Sequence, residues 1–170
     1  MDIANVNVFL KSSLVNTPYD INDDFIKAVE RIVRTSLEYR TIIADKRGND
    51  NENSCDLLSE YDFSDKSTKL QMHHIIPLYD ICRAAAEKLI LNKQKNITTF
   101  HTANLVMQWH YENAFLYAFL SVSAHQLVHD GQYTVPSEHI KGNAKIIKET
   151  YYDCIASKYQ EIVDSLCDNV

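Results

Sequence analysis

At 170 residues the chain is the size of one domain and long enough to bury a core, and ten Tyr, six Phe and a 45% apolar share exclude a disordered protein. The formal net charge of -6 argues against a general nucleic-acid coat protein, whose affinity comes from an excess of Lys and Arg. It leaves room for an enzyme that touches nucleic acid over a small footprint. Cys55, Cys82, Cys154 and Cys167 form no C-x-x-C pair, which removes a zinc ribbon and leaves them as core residues in a reducing setting.

The start, MDIANVNVFLKSS, lacks the basic segment and long apolar run of a signal peptide, and offers only a weak alternation in NVNVFL. A helix is expected from about Asp23 to Lys46, capped by Asn22, with Phe25, Val29, Ile32 and Val33 as its apolar stripe and Lys46-Arg47-Gly48 as its end. Residues 48–68 are polar and acidic and read as a loop. Ile75-Ile76 before Pro77 suggests a short strand that reaches back to His73 and His74. A helix follows from about Tyr79 to Asn92, then two short β-like runs between Ile97 and Trp109. The segment from Tyr111 to His129 reads as a strongly apolar helix ended by Asp130-Gly131, and Ser137 with Glu138 opens a last helix to about Leu166. The longest apolar stretch, Ala114 to Ala124, is interrupted by Ser121 and Ser123 and too short to cross a bilayer, so no membrane partner and a cytoplasmic setting, bacterial or infected-host, are expected.

The adjacent histidines matter because neighbouring strand residues face opposite ways. One imidazole can then point at a metal while the other points past it at a reacting group. The plain alternative is two histidines at a strand end, one packed and one wet.

HHIIP, then Asn104-Leu105-Val106, then Asn113 nine residues after Asn104 at a helix start, resembles the HNH (ββα-metal) endonucleases, in the H-N-N variant of phage and mobile-element enzymes. The stretch NLVMQWHYENAFLYAFL is similar to the NLV…EHxxxHxLL segment of those enzymes, with Asn113 and Tyr117 where they often carry His. The resemblance runs over roughly residues 70–120. It implies hydrolysis of phosphodiester bonds in DNA with one divalent ion as Lewis acid and a histidine as general base. Carried over residue by residue, it makes His74 the base, Asn104 the group that orients its imidazole, and His73 and Asn113 the metal ligands. The working ion would be Mg²⁺, with Mn²⁺, Co²⁺, Ni²⁺ or Zn²⁺ as further occupants. Two departures stand out: the gap from His74 to Asn104 is longer than usual, and His73 stands where the family often has Asp.

Two other readings come from different classes. One is a catalytically inactive HNH-like module that binds nucleic acid or a protein. The other is a helical protein with a metal at His125 and His129, whose i, i+4 spacing puts both on one helix face. On a continuous helix His125 would lie about 18 Å from Asn113 along the axis at 1.5 Å per residue, so both could not serve one ion. For nucleic-acid contact, Lys141, Lys145 and Lys148 would share one face of the last helix, and Arg83, Lys88, Lys93 and Lys95 form a second basic group. His101 and His110 read as surface groups or neighbours of the ligands.

The expected protein is a mostly helical α+β single domain over residues 1–170. It comprises a helical N-terminal part with an acidic loop (1–68), a ββα-metal nuclease core (69–130) and a C-terminal helix (131–170). Its partner would be a DNA substrate, and double-strand cutting by a one-site domain would favour a homodimer.

Overall fold

The computed structural model describes residues 14–50 and 70–168. The NVNVFL alternation, Cys55 and residues 51–68 of the expected acidic loop lie outside the described residues.

Asn22 opens α1 (Asp23–Thr35) by accepting the Phe25 amide at 2.9 Å, and Phe25, Ile26, Val29 and Val33 form its buried stripe. The expected run to Lys46 is in fact two helices. Ser36 leaves the helix with ψ 146°, and its hydroxyl accepts the Tyr39 amide at 3.1 Å, starting α2 (Leu37–Asp50). A serine side chain that can serve as a cap competes with continuation of the helical ladder, which periodicity does not register. β1 (Gln71–His74) contains both histidines, while Ile75 and Ile76 follow it. Pro77 then precedes α3 (Leu78–Leu91), a position with no helical N–H bond to lose.

Between Ile97 and Trp109 the structure has no strand but a helix, α4 (Thr99–Tyr111), whose first turn is held by Thr98 accepting the His101 amide at 3.2 Å. Thr102, Ala103, Val106, Trp109 and His110 are buried at three- and four-residue steps. That one-sided burial outweighs the β-branched and aromatic residues that suggested strands. The expected apolar helix from Tyr111 to His129 is a strand and a separate helix, β2 (Leu116–Leu120) and α5 (Val122–His129). All five residues of β2 are buried, so no alternation appears and the run mimics a buried helix. Ser121 marks the change: its hydroxyl accepts the Ala124 amide at 3.2 Å and caps α5.

The single last helix is likewise broken, into β3 (Lys141–Gly142), α6 (Ala144–Thr150) and α7 (Ser157–Asp168). Gly142 at φ 114° breaks any helix, and Asn143 starts α6 by accepting the Ile146 amide at 3.1 Å. The outcome is a mostly helical α+β domain in which the described residues form a three-stranded antiparallel sheet in the order β1-β2-β3. His73 pairs with Ala118 and His74 with Tyr117.

α3 and α4 are inserted between the two paired strands and pack with α1. On one sheet face Met72, Phe115, Tyr117 and Phe119 join this helical core. On the other, Ala118 and Leu120 form a smaller cluster with Ala124 of α5 and Val135. Trp109 stacks on Tyr151 with centroids 4.1 Å apart, and the Tyr151 hydroxyl donates to the Ala114 carbonyl at 2.8 Å. The Tyr159 hydroxyl donates to Asp80 at 3.0 Å, tying α7 to α3. Cys82 is buried, and Cys154 and Cys167 are partly buried free thiols. Among the described residues no helix is long and apolar enough to cross a membrane.

The close pairing of β3 with β2 gives a direct test. A Cβ at Gly142 would collide with the Phe115 carbonyl oxygen, whereas one at Gly131 (φ +69°) meets open space. Gly142→Ala should lower the unfolding free energy by about 3 kcal/mol or more, and Gly131→Ala by about 1 kcal/mol, in urea denaturation. Equal costs at the two positions would contradict the β3 placement.

Candidate functional site

Alternation along β1 sends its two histidines to opposite faces of the sheet. His73 faces α5, where His125 and His129 lie one turn apart. One nitrogen from each of the three imidazoles lies within 4.8 Å of the others. The Nε2 atoms of His125 and His129 are 3.1 Å apart, and His125 Nδ1 meets Gln71 Oε1 at 2.8 Å. His73 and His125 are partly buried and His129 is exposed. Burial, followed by repulsion from His125 and His129, lowers the His73 pKa to about 4, so this ring is neutral at neutral pH. His73 also stands at the edge of a cavity of about 760 Å³ between the α5 side of the sheet and α7, lined by Tyr133, Lys158 and Glu161 among others.

His74 turns the other way, into the helical core. Its Nε2 lies 3.0 Å from His110 Nε2, and His110 Nδ1 lies 2.7 Å from the Val106 carbonyl. That carbonyl can only accept, so His110 carries its proton on Nδ1 and offers the Nε2 lone pair to the His74 Nε2–H. The His74 ring lies against Tyr39 at 6.4 Å and Phe115 at 5.4 Å, near parallel to both. Burial pushes His74 well below its ordinary value, helped by His110 and Arg34, and burial drives His110 down to about 4. The arrangement holds two neutral imidazoles in a fixed pair, packed on the face away from His73.

The other expected residues lie elsewhere. Asn104 is on the exposed side of α4, and His110 takes the place beside His74 that was expected of it. Asn113 follows the C-terminus of α4 at φ 62°, its N–H donating to the His110 carbonyl and the Ala114 N–H to the Trp109 carbonyl, a helix-ending motif. Its side-chain oxygen accepts from Lys46 Nζ at 3.0 Å. Lys46 lies over the Phe115 and Tyr117 rings, on the His74 side of the sheet, so Asn113 is not brought to His73. The lysine stripe does not form one helix face: Lys141 is in β3, Lys145 is exposed on α6, and Lys148 bonds Asp164 at 2.8 Å.

Sequence reasoning missed His110 as the partner of His74. Its signal was present, because His110 falls in register with Thr102, Ala103, Val106 and Trp109 once the segment is read as a helix. The spacing of His125 and His129 was read, but a continuous helix placed them far from the adjacent histidines. β2 removes that separation by pairing alongside β1 before α5 begins.

The buried His110 ring makes stability depend on acidity. His110 has a folded pKa of about 4 against 6.5 for the exposed ring, so the unfolded chain takes up the proton first. Its contribution is complete above about pH 6.5 and fades as the pH falls toward about 4, a loss on the order of 3 kcal/mol from His110 alone. Urea denaturation at pH 7.5, 5.5 and 4.5 reads this directly. A constant unfolding free energy across that range would contradict a neutral, buried His110.

No curated protein and no solved structure matches the chain. The model of one family, the bacteriophage G278-like virion proteins, matches residues 2–169. This match overturns the resemblance to HNH endonucleases and the reading of the chain as a nuclease. The family is one of particle proteins, and the match takes in nearly the whole sequence: the chain belongs to the bacteriophage G278-like virion protein family.

Proposed function

We propose that the chain is a non-catalytic structural component of the phage particle, held there by contacts with other particle proteins and not by a grip on the genome. The observation that carries this reading is the family match over residues 2–169. Two further observations support it. The net charge of -6 suits a protein whose neighbours are proteins, since binding along a phosphate backbone draws on surplus Lys and Arg. The imidazole proposed as a hydrolytic base, His74, is engaged by His110 and packed between Tyr39 and Phe115. Of the alternatives drawn from the sequence, a non-catalytic protein is the one kept. Its location would be the host cytosol before assembly and the particle afterwards.

Particles purified on a density gradient and washed at 1 M salt should retain the chain in a fixed ratio to the other particle proteins, measured by quantitative mass spectrometry. The purified chain should not nick supercoiled plasmid with Mg²⁺ or Mn²⁺. Presence of the chain in infected-cell lysate, with none in washed particles, would sink the proposal.

A further inference from the structure

We propose that His73, His125 and His129 bind one zinc-class divalent ion, which fastens the short helix α5 to strand β1. The three donors come from two separate elements and converge, each within 4.8 Å of the others. A tetrahedral ion at about 2.0–2.1 Å from each nitrogen needs donors about 3.3 Å apart. The His125 and His129 Nε2 atoms, at 3.1 Å, already sit near that edge length. The His73 ring reaches it by a shift on the order of 1 Å, within the range of a side-chain rotation at a partly buried residue. The ring planes cross at 69°, 74° and 79°, so the imidazoles are splayed around a common point and not stacked on one another.

A hydrogen bond between His125 and His129 would account for their own separation. It does not account for His73, which a different element delivers to the same point, or for Gln71. Gln71 lies two residues before His73 on the same face of β1, and its Oε1 accepts from His125 Nδ1–H at 2.8 Å. That bond fixes the tautomer that leaves the His125 Nε2 lone pair aimed into the cluster, the role that outer partners of metal-bound histidines fill. In the ion-free state His129 is then the Nε2–H donor. On binding, its proton moves to Nδ1 through solvent and both Nε2 lone pairs turn to the ion, with no net proton release.

The donor set is three imidazoles with no carboxylate, which favours Zn²⁺, Co²⁺, Ni²⁺ or Cu²⁺ over Mg²⁺ or Ca²⁺. The fourth tetrahedral position would take a water. The fold supplies a reason for such a clamp. α5 has eight residues and buries only Ala124, too little to hold a helix of that length by packing alone. Its cluster on the sheet is small, centred on Ala118, Leu120, Ala124 and Val135.

The test uses the full-length chain with any affinity tag removed, titrated with Zn²⁺ against a chromophoric chelator and with Co²⁺ by visible absorption. One ion per chain is expected, with the intense visible bands of tetrahedral Co²⁺ and a thermal midpoint raised by Zn²⁺. His129→Ala, at an exposed position where folding is not at stake, should weaken binding roughly 100-fold and abolish the midpoint shift. His73→Ala should do the same. Gln71→Ala should weaken binding about 10–100-fold, and His101→Ala, on the exposed side of α4, should change nothing. Absence of stoichiometric binding would overturn the proposal. So would wild-type affinity in His129→Ala, or in a folded His73→Ala, where it would reduce the site to a surface pair.

Discussion

β2 has no exposed residue, and covering its two faces organises the rest of the domain. A strand of five buried residues must be packed from both sides. The helical core, which Phe115, Tyr117 and Phe119 join, provides one layer, with His110 of α4 and Lys46 of α2 against these rings. α5 and the segment through Val135 provide the other, against Ala118 and Leu120. β1 pairs along one edge of β2, and β3 pairs with Leu116 and Tyr117 on the other. Because β1 lies beside β2, its alternate residues inherit the same division, and His73 and His74 enter two different environments.

Those environments set opposite chemistries for one residue type. On the helical side, a histidine survives burial by giving its only N–H to another imidazole, which in turn gives its own to Val106. The pair behaves as a polar fixture at the edge of the core. On the α5 side three imidazoles crowd with their nitrogens inward and no carboxylate among them, an arrangement suited to a soft divalent ion. A virion component gains from both, since each joins elements distant in sequence: His74 to His110 across 36 residues, and His73 to α5 across more than 50. The family match makes the chain a member of a family of phage particle proteins.

What could be read from the sequence was whatever had a one-sided pattern. α1 with its Asn22 cap, α3 and the strand character of the two histidines all follow from local signals. β2 did not, because burial on both faces erases the two-residue period and leaves an unbroken apolar run. α4 was obscured by β-branched and aromatic residues whose burial on one side decides for a helix. These two errors moved the site. With α4 taken as strand and β2 as helix, the segment fits the ββα resemblance that carried roles over to Asn104 and Asn113, and His125 and His129 fall far from the adjacent histidines. A short motif such as HHIIP…NLV specifies chemistry only through the elements that carry it, and here Asn104 is on the solvent side of a helix.

One strand delivers His73 to the three-histidine cluster proposed to bind a metal and His74 to its pair with His110 on the helical side. Long-range ¹H–¹⁵N spectra of the imidazole nitrogens during a Zn²⁺ titration test this most directly. The account predicts that the ring nitrogens of His73, His125 and His129 shift together at one equivalent. His74 and His110 should meanwhile keep the signatures of neutral Nε2–H and Nδ1–H tautomers. Zn²⁺-induced shifts at His74 or His110, with His125 and His129 unmoved, would contradict it.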